Sequence, residues 1–215
     1  MARAGTAELP ERPRRRSNEQ RSAEMRSTLI EACIRSLYEI GYSSTTTQEI
    51  CSRAGATSGA IQHHFGSKDE LLLATLNSLR DDMQERLEQI KLMKGPLKDR
   101  CTALLRELWR RFYGRERYMA VWEIYIGSRG DPAFHARVMA QRFLTLEIYE
   151  RIWRDTFGIG PQDKTGLDAM HVVLSFLRGL VLYSQRDQKA IEAQLALMGS
   201  ALAHMLRSRQ SASGS

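Results

Sequence analysis

The sequence predicts an all-α protein of about nine helices. Apolar residues recur every three or four positions along most of the chain, which is the spacing of a helix face packed on a core. No segment shows the alternating apolar and polar residues of a strand, and glycines, prolines or capping residues mark the segment ends. With 215 residues, of which 42% are hydrophobic, the chain can bury a large core in one or two domains.

The overall composition narrows the range of partners. A net charge of +7 and a pI near 9.6 favour a polyanion, although charge alone would suit DNA, RNA or an anionic membrane surface. The three cysteines are far apart, so neither a disulfide framework nor a zinc site is expected. No apolar segment follows Met1, and Arg178 interrupts the longest apolar run. We therefore expect no secretory signal, no membrane span and a cytoplasmic location.

Composition also divides the chain into four parts. Residues 1–17 hold prolines and an arginine run with hardly any apolar side chains, which predicts a disordered basic arm. Its arginines either contact a nucleic-acid groove and phosphates or belong to a solvated tail. We expect a three-helix domain over residues 18–66, a second helical domain over residues 67–209 and a disordered tail over residues 210–215.

Two short helices joined by a tight turn are predicted within the first domain, after a longer helix that stops at Gly41. Thr46 and Glu49 have the spacing of a reciprocal capping box, which starts the first short helix. Gly55 stands where that helix would end in a left-handed conformation, and Thr57 follows as the cap of the next helix. This layout is a helix-turn-helix, which is typical of DNA-binding proteins.

The third helix of this domain is predicted to present a polar outer face. If Ile61 and Phe65 point into the core, the helical period turns short or polar residues outward: Ser58, Gly59, Gln62 and His63. A glycine in the first turn lets the backbone approach another molecule closely, and amide and imidazole groups can bond to base edges or phosphates. This face predicts docking in a DNA major groove.

The same region resembles the tetracycline-repressor (TetR) family of bacterial transcription regulators. The resemblance covers about the first third of the chain and rests on many residues in matching order and spacing. These residues are Gly41-Tyr42, Thr45-Thr46, Ile50, Ala54-Gly55, Thr57, Gly59, His64-Phe65 and Ser67-Lys68-Asp69-Glu70-Leu71.

The resemblance implies a homodimeric, nucleoid-associated repressor that binds a palindromic operator and is released by a small-molecule effector. It also implies backbone contacts to DNA from Thr47 and Gln48, and phosphate contacts from His64 and Lys68. Two residues depart from the family pattern. Gln62 replaces an aromatic residue and can form paired hydrogen bonds with an adenine edge, which predicts a different operator. Cys51 replaces an alanine and is expected to affect packing only.

The second domain reads as helices throughout. Ser67 and Glu70 form another capping box, which starts a long helix that ends at Gly95-Pro96. Asp131 followed by Pro132 is a typical helix start, and the last two helices are expected over residues 165–184 and 187–209.

The last helix carries apolar residues at alternating steps of four and three. They are Ile191, Leu195, Met198, Leu202 and Met205. Such a seam needs a partner helix, which favours a four-helix bundle made from the last two helices of each of two subunits. The alternative is that the seam packs within its own chain.

Aromatic residues at helical spacing mark a candidate effector pocket, although such residues more often form ordinary core. Arg178 is a charge within an apolar helix, so it must pair, reach solvent or face a cavity. We expect it at the edge of the pocket, with a salt bridge across the dimer as the alternative. The other expected lining residues are Trp122, Tyr125, Tyr149, His171 and Phe176.

No catalytic or metal-binding pattern emerges from the sequence. The five histidines are scattered, and Cys51 lies within the DNA-reading unit rather than beside a base. We therefore expect no enzymatic activity, no metal and no cofactor. Two other functions stay open: an architectural DNA-binding protein without a small ligand, and a helical small-molecule carrier.

Overall fold

A computed structural model of the protein describes residues 18–90, 94–183 and 187–212, and all regular elements within these ranges are helical. The helices are α1 (Asn18–Ser44), α2 (Thr47–Ala54), α3 (Ala60–His64), α4 (Lys68–Glu88), α5 (Leu97–Leu108), α6 (Glu116–Gly127), α7 (Pro132–Phe157), α8 (Lys164–Tyr183) and α9 (Gln188–Ala212). A π-helical turn over Trp109–Tyr113 and a 3-10 turn over Ser128–Gly130 follow α5 and α6. The predicted arm over residues 1–17 lies outside the described residues. The tail predicted from residue 210 starts too early, because α9 continues to Ala212.

The ends of α2 follow the predicted chemistry with one difference. Thr46 Oγ1 accepts the backbone N–H of Glu49 at 3.1 Å, and Gly55 ends the helix at a φ of 62°, in the left-handed region. The reciprocal half of the capping box is not formed. The Glu49 carboxylate instead accepts from Arg53 Nε at 2.6 Å, because a charged donor one turn away satisfies it better than a backbone amide. Ser67 likewise caps α4, while the Glu70 carboxylate pairs with Arg137 of α7 at 2.6 Å.

Helix α3 starts later than the sequence pattern predicts. Thr57 is not a side-chain cap, although its carbonyl oxygen accepts the N–H of Ala60 at 3.0 Å. Ser58 and Gly59 form a turn, and Gly59 occupies the N-cap position. Five residues, 55–59, therefore separate α2 from α3, rather than two. Glycine is unfavourable in the interior of a helix, so α3 begins after Gly59.

Buried apolar residues form two core clusters. The first joins α1, α2, α3 and the start of α4 to a few residues of α6 and α7, which are Ala120, Ile124, Phe134 and Val138. The second joins the end of α4 to α5, the π-helical turn, the end of α7, α8 and α9. Cys51 is 3% exposed within the first cluster, where its side chain packs as core. Helices α4 and α7 thus contribute buried residues to both clusters, and Tyr118 of α6 packs against the second.

The C-terminal end of α1 is held closely against α6. Gly41 interrupts α1 with a φ of 77°, and the next amide, that of Tyr42, donates to Glu123 Oε2 at 2.8 Å. A Cβ atom on Gly127 would lie 2.0–2.5 Å from atoms of the Tyr42 side chain. Only glycine therefore lets α6 approach the kinked end of α1 this closely.

The seam predicted for a partner subunit is filled within the chain. Ile191, Leu195 and Leu202 are 6%, 0% and 0% exposed in the second core cluster, and Met198 and Met205 pack against the same cluster. The physical reason is α5, which lies along α9 so closely that a Cβ atom on Gly199 would meet Thr102 Oγ1 at 2.3 Å. These five residues therefore belong to the subunit core.

A different face of the last two helices remains open. We call the exposed residues Val172, Ser175, Gly179 and Leu182 of α8, together with Leu197 of α9, the outer face. Leu197 also borders a groove that α9 shares with α5. Val172, Leu182 and Leu197 are 46%, 59% and 73% exposed. By length and composition alone, the segment Lys164–Leu182 of α8 is apolar enough to cross a membrane, and 39% of it is buried inside the protein.

Candidate DNA-binding surface and effector cavity

Helices α2 and α3 present the predicted DNA-contacting residues on the protein surface. Six of the eight are exposed: Thr47, Gln48, Ser58, Gly59, Gln62 and His63. The other two, His64 and Lys68, are partly buried because they lie at the ends of helices that pack on α1. The structure therefore leaves the first six free for an external partner and gives the last two an additional role in packing.

Arg26 of α1 fixes the end of α3, a contact that the sequence pattern does not predict. Its guanidinium donates to the His64 carbonyl oxygen and lies 4.2 Å from the centre of the Phe65 ring. Burial lowers the pKa of the His64 imidazole, and the charges of His63 and Arg26 lower it further. No local motif could reveal this contact, because Arg26 and His64 are 38 residues apart.

Lys68 connects the start of α4 to the end of α1. Its Nζ lies 5.0 Å from the centre of the Tyr42 ring, which itself packs on Gly127 of α6. Burial raises the pKa of the Tyr42 hydroxyl, and the nearby carboxylates of Asp69 and Asp131 raise it further. Lys68, the expected phosphate contact, therefore packs on Tyr42, the same side chain that connects α1 to α6.

A cavity of about 550 Å³ lies between α4, the π-helical turn, α6, α7 and α8. Five of the six residues predicted for an effector pocket line it: Trp122, Tyr125, Tyr149, His171 and Arg178. The sixth, Phe176, does not line the cavity and packs against the second core cluster. It precedes Arg178 by two positions, which places it about 200° away around α8.

Two tyrosines of the cavity wall, Tyr118 and Tyr149, pack against the buried Tyr113, which lies behind them. Tyr113 Oη donates to Tyr149 Oη at 3.3 Å, and the rings of Tyr113 and Tyr118 are 4.5 Å apart. Burial is the main cause that raises the pKa of all three hydroxyls, so they stay neutral at physiological pH. The sequence pattern does not predict Tyr113 here, since it lies in the π-helical turn, where an extra residue shifts the helical register.

Arg178 meets these tyrosines without a carboxylate partner. The hydroxyl of Tyr118 lies beside it and raises its pKa, and no acidic side chain of the described residues forms an ion pair with it. Burial lowers the pKa of the guanidinium, but the surrounding tyrosines more than offset this effect and the pKa is raised. Arg178 is therefore a charged, half-buried group of the cavity wall without an ion pair among the described residues.

Four other arginines of the cavity wall, Arg80, Arg86, Arg111 and Arg117, have carboxylate partners. Arg86 Nε lies 2.7 Å from Asp82 Oδ1 within α4, and Arg111 Nε lies 2.6 Å from Glu107 Oε2. Arg117 differs from these because its carboxylate partner lies in another part of the molecule. It donates from Nη1 and Nη2 to the two carboxylate oxygens of Glu31 in α1, at 2.7 and 3.0 Å. This pair links the cavity wall directly to the first helix.

The Trp122 indole occupies the middle of the wall. Its ring lies 6.2 Å from that of Tyr125, edge to face at 86°. Its Nε1 atom is buried and influences the pKa of the Tyr118 hydroxyl, but the two groups do not meet in hydrogen-bond geometry. The cavity thus contains a buried donor without an acceptor, in addition to the arginine without a carboxylate.

Comparison with known proteins places these features in a family. The family model described as bacterial regulatory proteins, tetR family, matches residues 29–75, which cover most of α1, all of α2 and α3, and the start of α4. Among solved structures, a transcriptional regulator from Rhodococcus sp. Rha1 superposes with a TM-score of 0.66 at 22% identity, over 84% of this chain and 95% of that one.

Two curated relatives match most of the chain. The HTH-type transcriptional regulator CymR of Pseudomonas putida is 26% identical over 185 residues, which is 84% of this chain and 90% of CymR. The HTH-type transcriptional regulator BetI of Rhizobium meliloti strain 1021 is 30% identical over 180 residues, which is 80% of this chain and 84% of BetI. Taken with the exposed helix-turn-helix and the all-helical body, these matches show that the chain belongs to the TetR family of DNA-binding transcriptional regulators.

Proposed function

We propose that this regulator is a repressor that binds a palindromic operator as a homodimer and releases it when a small molecule occupies the cavity. The observation that carries this proposal is the Arg117–Glu31 pair, because it joins the cavity wall to the first helix of the DNA-binding half. A ligand that moves α6 must then change the position of the DNA-binding domain, residues 18–66. The protein would act in the cytoplasm, on chromosomal DNA.

The proposed DNA-reading unit comprises residues 18–66, with α3 in the major groove. Ser58, Gly59, Gln62 and His63 face the bases in this arrangement, and their exposure supports it. The proposed contacts to the DNA backbone and phosphates come from Thr47, Gln48, His64 and Lys68. Their placement on α2 and at the adjoining helix ends fits backbone contacts, which set orientation rather than sequence.

The proposed dimer forms through the outer face of α8 and α9. Large apolar side chains such as Leu197 would otherwise stay in water, and the small residues Ser175 and Gly179 permit close approach of a partner helix. A two-fold axis through this face would bring the same patch of both subunits together, so that each contact occurs twice. Two α3 helices would then read two halves of a palindrome.

Transmission from cavity to DNA is proposed to follow α6 and α4. Helix α6 contacts the kinked end of α1 through the Glu123 bond to the Tyr42 amide and through Gly127. Helix α4 lines the cavity with its middle and carries Lys68 at its start. Because binding energies are reciprocal, an effector that lowers operator affinity must itself bind the operator complex less tightly, by the same factor.

The test is selection of bound sequences from a random duplex pool at physiological salt, followed by gel-shift of the recovered site. We expect one palindrome, bound roughly 4–10 kcal/mol more tightly than random DNA. Recovery of unselective, strongly salt-dependent binding would contradict the proposal in favour of an architectural protein. Absence of any DNA binding would contradict it in favour of a carrier.

A further inference from the structure

We infer that the cavity binds a small aromatic carboxylate, with its anionic group on Arg178 and its ring against the Trp122 and Tyr125 side chains. This inference rests on the proposed function, because it names the chemical class of the effector that occupies the same cavity. Three features of the cavity support it: the net charge of the wall, the absence of a carboxylate partner for Arg178 among the described residues, and the aromatic residues of the wall.

The charge balance of the wall is strongly positive. Seven arginines line the cavity, against two acidic residues, Asp82 and Glu116. Arg80, Arg86, Arg111 and Arg117 already have carboxylate partners, of which only Asp82 lies in the wall itself. The remaining three, Arg115, Arg142 and Arg178, have no ion pair among the described residues. A cation would have to enter a site where like charges surround it. The potential of the cavity therefore favours an anion.

Arg178 is the best placed of these arginines to bind that anion. The group beside it is a neutral phenol, that of Tyr118, and a guanidinium has five N–H donors in a planar fork. A carboxylate matches this fork with two parallel hydrogen bonds, whereas a phenol takes one. Arg115 and Arg142, the other wall arginines without an ion pair among the described residues, are exposed, whereas Arg178 is half-buried and therefore gains most from a compensating charge.

The wall beside Arg178 is aromatic. Trp122, Tyr125 and Tyr149 line the cavity together with Phe112 and several apolar residues of α4. Offset and edge-on contacts between rings favour an aromatic guest over a flexible alkyl chain. A volume of about 550 Å³ suits a compound of drug size.

The experiment uses titration calorimetry on the full-length protein with three matched pairs of probes. Each pair is a carboxylate and its neutral amide: benzoate and benzamide, 2-naphthoate and 2-naphthamide, 4-phenylbenzoate and 4-phenylbenzamide. We expect at least one carboxylate to bind at least tenfold more tightly than its amide, and more tightly than octanoate. If every amide equals its carboxylate, the anionic class is overturned; if octanoate matches the best probe, the aromatic class is overturned.

Three variants assign the preference to one residue. Arg178→Met should abolish the preference for carboxylate, while Arg207→Met, the same change at an exposed site on α9, should retain it. Arg178→Lys keeps the charge but not the fork, and should lose several-fold of the preference. If circular dichroism shows that Arg178→Met does not fold, the carboxylate preference of Arg178→Lys tests the assignment instead. A full preference in a folded Arg178 variant would overturn the assignment.

Operator binding is measured on the same preparations without any probe, which separates the two hypotheses. A selected palindrome without carboxylate preference would leave the repressor intact and overturn the ligand class. A carboxylate preference without operator binding would support the ligand class and contradict the repressor.

Discussion

Arg117 and Glu31 form a two-point ion pair that ties the cavity wall on α6 to α1, with N–O distances of 2.7 and 3.0 Å. Arg117 also lies 4.0 Å from Asp82 of α4, so three helices meet at one guanidinium. Both side chains of the pair are partly exposed, at 35% and 46%. The pair therefore matters more for the relative position of the helices than for overall stability.

Glu31→Gln should change operator affinity more than stability. The variant removes the charge partner of Arg117 but keeps the size of the side chain, so we expect a loss of at most about 1 kcal/mol in the free energy of unfolding. The operator Kd should shift at least threefold, since α1 loses its fixed position on α6. Urea unfolding and gel-shift titration measure the two effects. Glu85→Gln, on the exposed side of α4, is the control, and equal operator affinities in both variants would contradict the expectation.

Gly127→Ala should destabilise the protein by about 1–3 kcal/mol, because the new methyl group would overlap the Tyr42 side chain. Gly130→Ala is the matched control, since a Cβ atom at that position would have no neighbour within 4 Å. Denaturant unfolding of both variants compares the two costs. Equal midpoints would mean that α6 and α1 can separate freely, against the close contact described above.

Leu197→Glu should weaken the dimer at least tenfold while the subunit stays folded. The side chain is 73% exposed in the isolated subunit, so a charge there costs the fold little but would be buried in the proposed interface. Sedimentation velocity at several concentrations gives the dissociation constant. Leu144→Glu, at a 46% exposed site on α7, serves as the control. A Leu197→Glu protein that remains as dimeric as the control would place the interface elsewhere.

Gln62→Ala and Lys68→Ala should affect DNA binding in different ways. Loss of the amide should relax discrimination at one base pair, by about 1–3 kcal/mol, because Gln62 is exposed on the face assigned to the bases. Loss of the ammonium should weaken binding to all sequences and lower the salt slope by about one unit. Binding of each variant to the operator and to its single-base variants, at several salt concentrations, tests both roles. Identical profiles for the two proteins would show that the assignment is mistaken.

Operator affinity should rise as the pH falls, because of His64. Its imidazole pKa is lowered from 6.5 in the free protein, chiefly by burial, so the group is neutral at pH 7. A DNA phosphate beside it would favour the charged form, so the complex takes up a proton. We expect about two- to tenfold tighter binding at about pH 5.5 than at about pH 7.5, and a smaller change in His64→Gln. The same pH response in His64→Gln and wild type would assign the effect to other groups. His204→Gln, at an exposed site on α9, is the control.

Residues with strong local chemistry predicted the helix ends well. Asp131 caps α7 by accepting from two backbone amides at 3.0 Å, and Gly55 ends α2 at a φ of 62°. Both results depend only on neighbours in sequence, so a single chain suffices to predict them. The three-helix head and the aromatic wall also followed from spacing, since a helix face is a periodic property.

The differences arise where two or more partners compete for one residue. The apolar face of α9 fits a helix of a second subunit or of its own chain, and spacing cannot choose between them; the packing of Gly199 on Thr102 decides. The Glu49 carboxylate likewise has a backbone amide and Arg53 within reach, and the charged donor wins. Long-range pairs such as Arg117 with Glu31 leave no trace in local patterns, because 86 residues separate them.

The first core cluster has a consequence for the exchange of parts between regulators. Ala120, Ile124, Phe134 and Val138 belong to α6 and α7, yet they complete the apolar interior under α1 and α2. A fragment that stops at residue 66 would expose that interior to water and should not fold by itself. A chimera that joins these DNA-binding helices to another sensor domain must therefore carry the matching surface of α6 and α7 as well. The boundary for such an exchange lies within the second helical domain rather than between the two domains.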